Sequence, residues 1–207
     1  MTSFTYAQAA KYVGTDRASG ASQLTLLMSC GLRPDDDVIE VGCGALHLAR
    51  PLLAYLDVAR YVGVDPNEWL RLAALRDDPN LIALVAQQQP FFSSRDDFDT
   101  GVRNCADWVF AHSVLSHAAH WQLPQFLEGA ASMLRRGGRL LASLRLSMVN
   151  SNSDGWEYPG ATHFTMETVE DAVGEAGFSS LEWRPDLRVV HTATCPDEFH
   201  DWMLVTR

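Results

Sequence analysis

Apolar residues follow two rhythms along this chain, and the changes from one to the other mark its elements. Val38-Ile39-Glu40-Val41 and Tyr61-Val62-Gly63-Val64 are short, nearly continuous apolar runs bounded by turn residues, the pattern of strands covered on both faces. Between them Leu46, Leu48, Ala49, Leu52, Leu53 and Leu56 recur at helical spacing. The alternation continues with a helical stretch from residue 67 to about 88, which Pro79 interrupts or kinks, and then a short strand at Pro90-Phe91-Phe92. Residues 107 to 111 read as a fourth strand and residues 123 to 134 as a helix. Arg135-Arg136-Gly137-Gly138 reads as a turn, and residues 139 to 144 as a fifth strand. Such β/α alternation predicts a parallel sheet with right-handed crossovers.

The flanks complete the pattern. Residues 6 to 31 read as helical, with Leu24, Leu26, Leu27 and Met28 ahead of a capping Gly31; residues 1–34 precede the first strand and are placed to form an N-terminal helical lid. Thr165 as N-cap, Glu167 and Glu170 near the start and Gly177 past the end predict a helix over residues 166 to 176. Residues 179 to 183 and 202 to 206 read as the last two strands. Leu187 to His191 carries no firm period, and a short strand is the most it predicts.

Composition narrows the class. At 207 residues, 47% apolar and 20% charged, the chain can bury a core of its own and reads as a single domain over 1–207, with no linker or internal repeat. A net charge of −10 disfavours a polyanionic partner, so neither nucleic acid nor an anionic membrane surface is expected. Met1-Thr2-Ser3-Phe4-Thr5-Tyr6 lacks the basic start and apolar run of a signal peptide, and no apolar stretch approaches a membrane span, so a cytoplasmic protein is expected. Cys30, Cys43, Cys105 and Cys195 are scattered without a Cys-x-x-Cys, which predicts reduced thiols and no thiolate zinc site. Oligomeric state leaves no trace in the sequence.

The chemistry gathers where the first strand runs into Gly42-Cys43-Gly44. Two glycines let the backbone turn sharply and lie close to a ligand, and the helix start beyond them offers free N–H groups. Asp65, at the tip of the next strand, is placed to accept hydrogen bonds from both hydroxyls of a ribose. Strand, glycine turn, helix and a second strand ending in an acid point to a nucleoside-containing cofactor.

Glu40-Val41-Gly42-Cys43-Gly44 resembles the E/D-x-G-x-G signature of class I S-adenosylmethionine-dependent methyltransferases, small-molecule type. It differs from the G-x-G-x-x-G of dinucleotide enzymes, whose last glycine would fall at His47. Gly63-Val64-Asp65-Pro66, Arg95-Asp96-Asp97-Phe98, the stretch Ala106-Asp107-Trp108-Val109-Phe110-Ala111-His112-Ser113, and Leu134-Arg135-Arg136-Gly137-Gly138-Arg139-Leu140-Leu141 resemble further segments of that family in its order, over roughly residues 37 to 145. Leu46 departs from it, standing where many members carry a third glycine.

The resemblance implies a Rossmann-like three-layer α/β sandwich: a seven-stranded, mostly parallel sheet in the order 3-2-1-4-5-7-6, strand 7 antiparallel, with helices on both faces. It implies S-adenosyl-L-methionine as cofactor. It also implies roles: Glu40 at the methionine end; Gly42, Cys43 and Gly44 beneath it; Asp65 on the ribose; Pro66 and Asn67 beside the adenine; Asp97 and Phe98 at the adenine edge; Ala111 and His112 on the sulfonium side. Asp97 also reads as a solvated turn acid, since Asp96 and Asp99 share its loop. Cys43 reads as a small packed residue and not as a nucleophile.

Open sheets bind ligands beyond the carboxyl ends of their strands, which directs attention to residues 112 to 121 and 145 to 164. The second stretch is polar and glycine-punctuated, with Trp156 and Tyr158 inside it; it reads as a substrate lid or equally as a surface crossover. Methyl transfer needs in-line placement, exclusion of water, and removal of a proton when the acceptor is OH or NH. A histidine suits that last task. His117 follows the fourth strand in a Ser-x-x-Ser-His turn that the resembled family often keeps, and is the first candidate base; His163 is its rival. His117, His120 and His163 are also weighed as metal ligands, but no carboxylate or thiolate completes a set, and no metal is expected.

The expected function is transfer of a methyl group to a small-molecule acceptor. Oxygen is the default because no Asn-Pro-Pro-Tyr-type motif follows the fourth strand; nitrogen, carbon and sulfur stay open. The alternative is a non-catalytic S-adenosylmethionine-binding regulatory or partner protein, and a nicotinamide oxidoreductase is a third reading.

Overall fold

The computed structural model describes residues 4–14, 17–98, 100–151, 153–195 and 200–207. The expectations for residues 1–3, 15 and 16 of the N-terminal segment, for Asp99, and for Asn152 in the crossover loop lie outside the described residues.

Seven strands make one sheet: β1 (Val38–Val41), β2 (Tyr61–Val64), β3 (Phe91–Ser93), β4 (Ala106–Ala111), β5 (Leu134–Leu144), β6 (Ser180–Trp183) and β7 (Asp201–Thr206). Their order is β3-β2-β1-β4-β5-β7-β6. The first five pair in parallel, and β7 runs antiparallel between β5 and β6. This is the topology implied by the resemblance.

The helices are α1 (Tyr6–Val13), α2 (Arg17–Ser29), α3 (Ala49–Tyr55), α4 (Glu68–Arg76), α5 (Pro79–Gln88), α6 (Gln122–Met133), α7 (Met166–Glu175) and α8 (Pro185–Thr194). Successive strand residues feed two cores, because side chains alternate across a sheet. Ala106, Val109 and Ala111 of β4 pack with α6 and α7 on one face. Trp108 and Phe110 pack with α2, α3 and Leu187 of α8 on the other.

Four local readings change. Residues 6 to 31 form two helices, because α1 ends in a left-handed Gly14 (φ 71). Pro79 opens α5 at its first turn, behind an Asp78 cap that accepts from the Leu81 N–H, so the stretch from 67 to 88 is also two helices. β5 begins at Leu134: the expected turn at 135–138 is taken up as an irregularity between the pairs Ala106↔Leu134 and Trp108↔Arg139, with Gly137 left-handed. Leu187 to His191 lies in α8, not in a strand. Pro185 presets its first turn, and Leu187 and His191, four apart, are both buried on one helical face.

No helix of the described residues is long and apolar enough to cross a membrane. All four cysteines are free thiols.

Candidate active site

β1 ends in a turn that hangs on β2. The N–H groups of Gly42 and Cys43 both donate to the Val64 carbonyl, at 2.7 and 3.1 Å. Gly42 (φ 80) and Gly44 (φ 47) are left-handed, and a Cβ on Gly42 would lie 2.4 Å from a Val114 methyl. Leu46 also adopts a left-handed backbone, φ 60. Its position thus keeps the conformation a glycine would favour, at a cost of order 1–3 kcal/mol, which full burial of the leucine side chain offsets.

Two carboxyls flank this turn. Asp65 Oδ2 accepts from the Gly44 N–H at 2.9 Å and Oδ1 from the Asn67 N–H at 2.8 Å. Both oxygens are fixed, and each keeps a lone pair for a ligand. Burial raises the Asp65 carboxyl above its ordinary range, against the pull of those backbone donors.

Glu40 lies opposite Gly63 in the β1–β2 register. A Cβ on Gly63 would stand 3.0 Å from the Tyr61 hydroxyl, so the glycine clears the way for Tyr61 to donate to Glu40 Oε2 at 2.5 Å. Burial pushes Glu40 up to about 8 despite that bond, and Asp65 adds to the rise. At neutral pH this carboxyl is mostly neutral, and a cation placed against it would draw it to carboxylate.

A cavity of about 530 Å³ opens over the turn. Glu40, Gly42, Cys43, Gly44, Asp65 and Pro66 line it, and so do Phe98, His112 and His117. Cys43 is buried, and burial together with Glu40 and Asp65 holds its thiol well above the usual range, which rules it out as a nucleophile. His112 stacks on Trp202, with Nδ1 3.0 Å from the Gln23 amide nitrogen.

Three candidates are not on the wall. Ala111 is fully buried, paired with Val41 on one side and Ala142 on the other. Asp97 is held by Arg95 on an exposed loop, and Asp96 takes the wall position instead. His163 is tied through its backbone to Ser151 (N–H to Oγ 2.9 Å, carbonyl from the Ser151 N–H 3.0 Å), in the stretch that runs along β5's exit.

His117 belongs to a different setting. Its Nδ1 is 2.8 Å from the Gly160 carbonyl and 3.4 Å from that of Glu157, while Nε2 is 3.4 Å from Ser113 Oγ. Carbonyls only accept, so Nδ1 carries the proton and Nε2 is the basic nitrogen. Burial lowers the imidazole pKa, more than the two carbonyl contacts raise it. The crossover loop is fastened to the same turn: the Glu157 N–H donates to the His117 carbonyl at 2.8 Å and the Thr162 N–H to that of Ser116 at 2.7 Å.

Several contacts between wall residues had no legible signal. Tyr12 of α1 meets Tyr158 of the loop at 5.0 Å between ring centroids, and Tyr158 lies 5.1 Å from His117. α1 reaches there because the Tyr6 hydroxyl sits 3.0 Å from His47 Nε2, next to the glycine turn. Only the aromatic content of the loop and the position of the N-terminal helix hinted at these contacts. Among the described residues, no group of three or more His, Cys, Asp or Glu is arranged to hold a metal ion.

The residues present suit the cofactor implied by the resemblance. The turn leaves no room for a Cβ at Gly42, a fixed carboxylate stands at the β2 tip, and a buried carboxyl waits for a cation. A family described as a methyltransferase domain matches residues 39–140. Among solved structures, the chain is similar to the magnesium protoporphyrin IX methyltransferase of Synechocystis PCC 6803 with bound SAM, at 20% identity and TM-score 0.65 over 92% of this chain and 79% of that one. It is similar to phosphoethanolamine N-methyltransferase 2 of Haemonchus contortus, at 13% identity and TM-score 0.68 over 100% of this chain and 59% of that one. The [4+2]-cyclase SpnF has a similar fold too, at 16% identity and TM-score 0.63 over 90% and 80%. With a methyltransferase-domain match from β1 into β5 and the full strand order around it, the chain has the fold of the class I S-adenosylmethionine-dependent methyltransferases.

Proposed function

We propose that this protein methylates an oxygen of a small molecule, with His117 as general base. The observation that carries this reading is the tautomer of His117: two carbonyls hold Nδ1–H, which leaves Nε2, 3.4 Å from Ser113 Oγ, as the basic nitrogen of a residue that lines the cavity over the glycine turn. In this reading Asp65 accepts from the ribose hydroxyls, Glu40 meets the positive end of the methionine moiety, and Pro66, Asn67 and Phe98 border the adenine. Gly42, Cys43 and Gly44 pass beneath the ligand, and His112 flanks its sulfur. Bound there, S-adenosylmethionine supplies a methyl group on a sulfonium, which is already a good donor. The chain's share is to orient the acceptor, exclude water and take its proton at Nε2. Residues 1–207 act as one domain, with the 1–34 segment as an N-terminal lid and the 145–164 loop as a substrate lid. Four free thiols suit the reducing cytoplasm.

The test is formation of S-adenosylhomocysteine with candidate acceptors, in the wild type and in His117→Ala. Turnover that survives the substitution at full rate removes His117 as the base. A second reading is a protein that binds the cofactor without methylating, and the structural similarity to a cyclase favours keeping it, since one fold hosts more than one chemistry. Tight cofactor binding with no product from any acceptor would decide for it.

A further inference from the structure

Charge is unevenly spread over the wall of the cavity. Glu40, Asp65, Arg95 and Asp96 are the charged residues on its wall, and all come from β1, the β2 tip and the loop after β3. The rest of the wall includes Tyr12, Trp121, Trp156 and Tyr158 from α1, the β4–α6 turn and the crossover loop, with Trp156 and Tyr158 beside His117 and no acid, lysine or arginine among them. Tyr158 and Trp156 lie 5.1 and 6.0 Å from the His117 ring, and Tyr12 is stacked at a tilt on Tyr158. Trp121 is 61% exposed and Trp156 50%, large aromatic surfaces left open to solvent at the mouth of a cavity. Contiguous apolar surface of that kind marks a ligand site.

Resting on the methyl-transfer reading above, we propose that the acceptor is a small, uncharged phenol, its ring seated in this aromatic bay and its hydroxyl turned to Nε2 of His117. The oxygen–methyl bond forms as the methyl–sulfur bond breaks; the hydroxyl proton passes to Nε2, and the positive charge moves from sulfur to the imidazolium, which returns its proton to solvent.

Other acceptor classes fit the wall less well. A carboxylate or phosphate is nucleophilic without a base but needs a cation to hold it. On the wall Arg95 is paired with Asp97, and Arg145, which is felt at His117, is not on the wall. An ammonium has no lone pair until it loses a proton, and no acid in this bay would hold it there. A bay of rings gives a planar, neutral molecule stacking area without desolvating a charge. A cavity of about 530 Å³ is within the range for one drug-sized ligand. Since it takes the donor as well, the acceptor is limited to about one or two rings.

The experiment uses four matched probes at saturating S-adenosylmethionine: 2-naphthol, 2-naphthoate, 2-naphthyl phosphate and 2-naphthylmethylamine. Product is followed by mass spectrometry, and binding of each probe to the S-adenosylhomocysteine-saturated protein by calorimetry. The expected result is binding and methylation of 2-naphthol alone. Trp156→Ala and Tyr158→Ala should each lower kcat/KM for it by about tenfold, the scale of one aromatic contact, with cofactor affinity unchanged. Both residues are at the surface loop, so neither change opens the core. Methylation of the carboxylate, phosphate or amine with naphthol inert overturns the acceptor class and leaves methyl transfer standing. Failure of naphthol to bind the loaded protein overturns it irrespective of turnover. Naphthol binding with no product from any probe sinks the methyl-transfer reading itself, and the phenol assignment falls with it.

Discussion

The glycine turn and the aromatic bay around His117, the donor and acceptor sides of the proposed reaction, are built by different means. At the donor end, backbone does most of the shaping: two left-handed glycines, N–H groups donated to Val64 and Asp65, and a glycine that lets Tyr61 reach Glu40. These parts lie within 26 residues of chain, from 40 to 65, on adjacent parallel strands. At the acceptor end, side chains do the shaping, and they come from Tyr12, His117 and Tyr158, which are far apart in sequence. A backbone-built site tolerates little change at a few glycines. A side-chain-built site can be altered one residue at a time.

The largest expected effect falls at the acceptor end. His117→Ala should lower turnover about 10²–10⁴-fold and leave cofactor binding nearly intact, as read by kinetics beside calorimetry. Because burial holds the imidazole below its ordinary pKa, its base form is present at neutral pH and lost only as the pH falls through that lowered value. The rate of the wild type should therefore be flat above about pH 6.5 and decline below it. A rate that keeps climbing well above neutrality would point to a different base.

Gly42→Ala comes next and strikes the donor end. The added methyl meets Val114 at 2.4 Å on a φ of 80, and should cost about 2–4 kcal/mol of stability by combined strain and overpacking. Thermal unfolding measures the loss. Adding Val114→Ala should recover the overpacking share and not the backbone share, which separates the two causes.

Asp65→Ala should weaken S-adenosylmethionine binding by about 1.5–3 kcal/mol, the value of hydrogen bonds to a charged group. Unchanged affinity in a calorimetric titration would take the ribose contact away from it.

A further effect is a pH signature of Glu40. Its folded pKa of about 8 stands above the ordinary 4.5, so the folded cofactor-free protein keeps a proton that the unfolded chain gives up in between. That stabilisation is complete below about pH 4.5 and lost as the pH rises through about 8. Glu40→Gln should flatten this decline in Tm. If the cofactor's cation meets Glu40, binding below pH 8 should release a proton, visible as a dependence of binding heat on the ionisation enthalpy of the buffer. The same release in Glu40→Gln would assign it to another group.

How much of this was legible beforehand follows the same division. The alternation of strand and helix periods, the glycine turn and Asp65 are short-range patterns, written in neighbouring residues by backbone geometry and by the two-faced burial of parallel strands. They determined the sheet, its order through the resemblance, and the place of the donor end. Even there, register was needed to see that Gly63 admits Tyr61 to Glu40, because a cross-strand contact has no spacing in the sequence. Local grammar failed where one residue serves two roles: Pro79 and Pro185 open helices, where the one read as a break and the other gave no reading. Nor did it separate Asp96 from Asp97, since the two share a loop and differ only in what packs against them. The loops around His117, Trp156 and Tyr158 were legible as the proposed acceptor side, but their meeting with Tyr12 of α1 was decided by tertiary structure. The rings meet because α1, the β4–α6 turn and the crossover loop converge at one edge of the sheet, and contacts between such distant segments are selected by packing and carry no periodic mark along the chain.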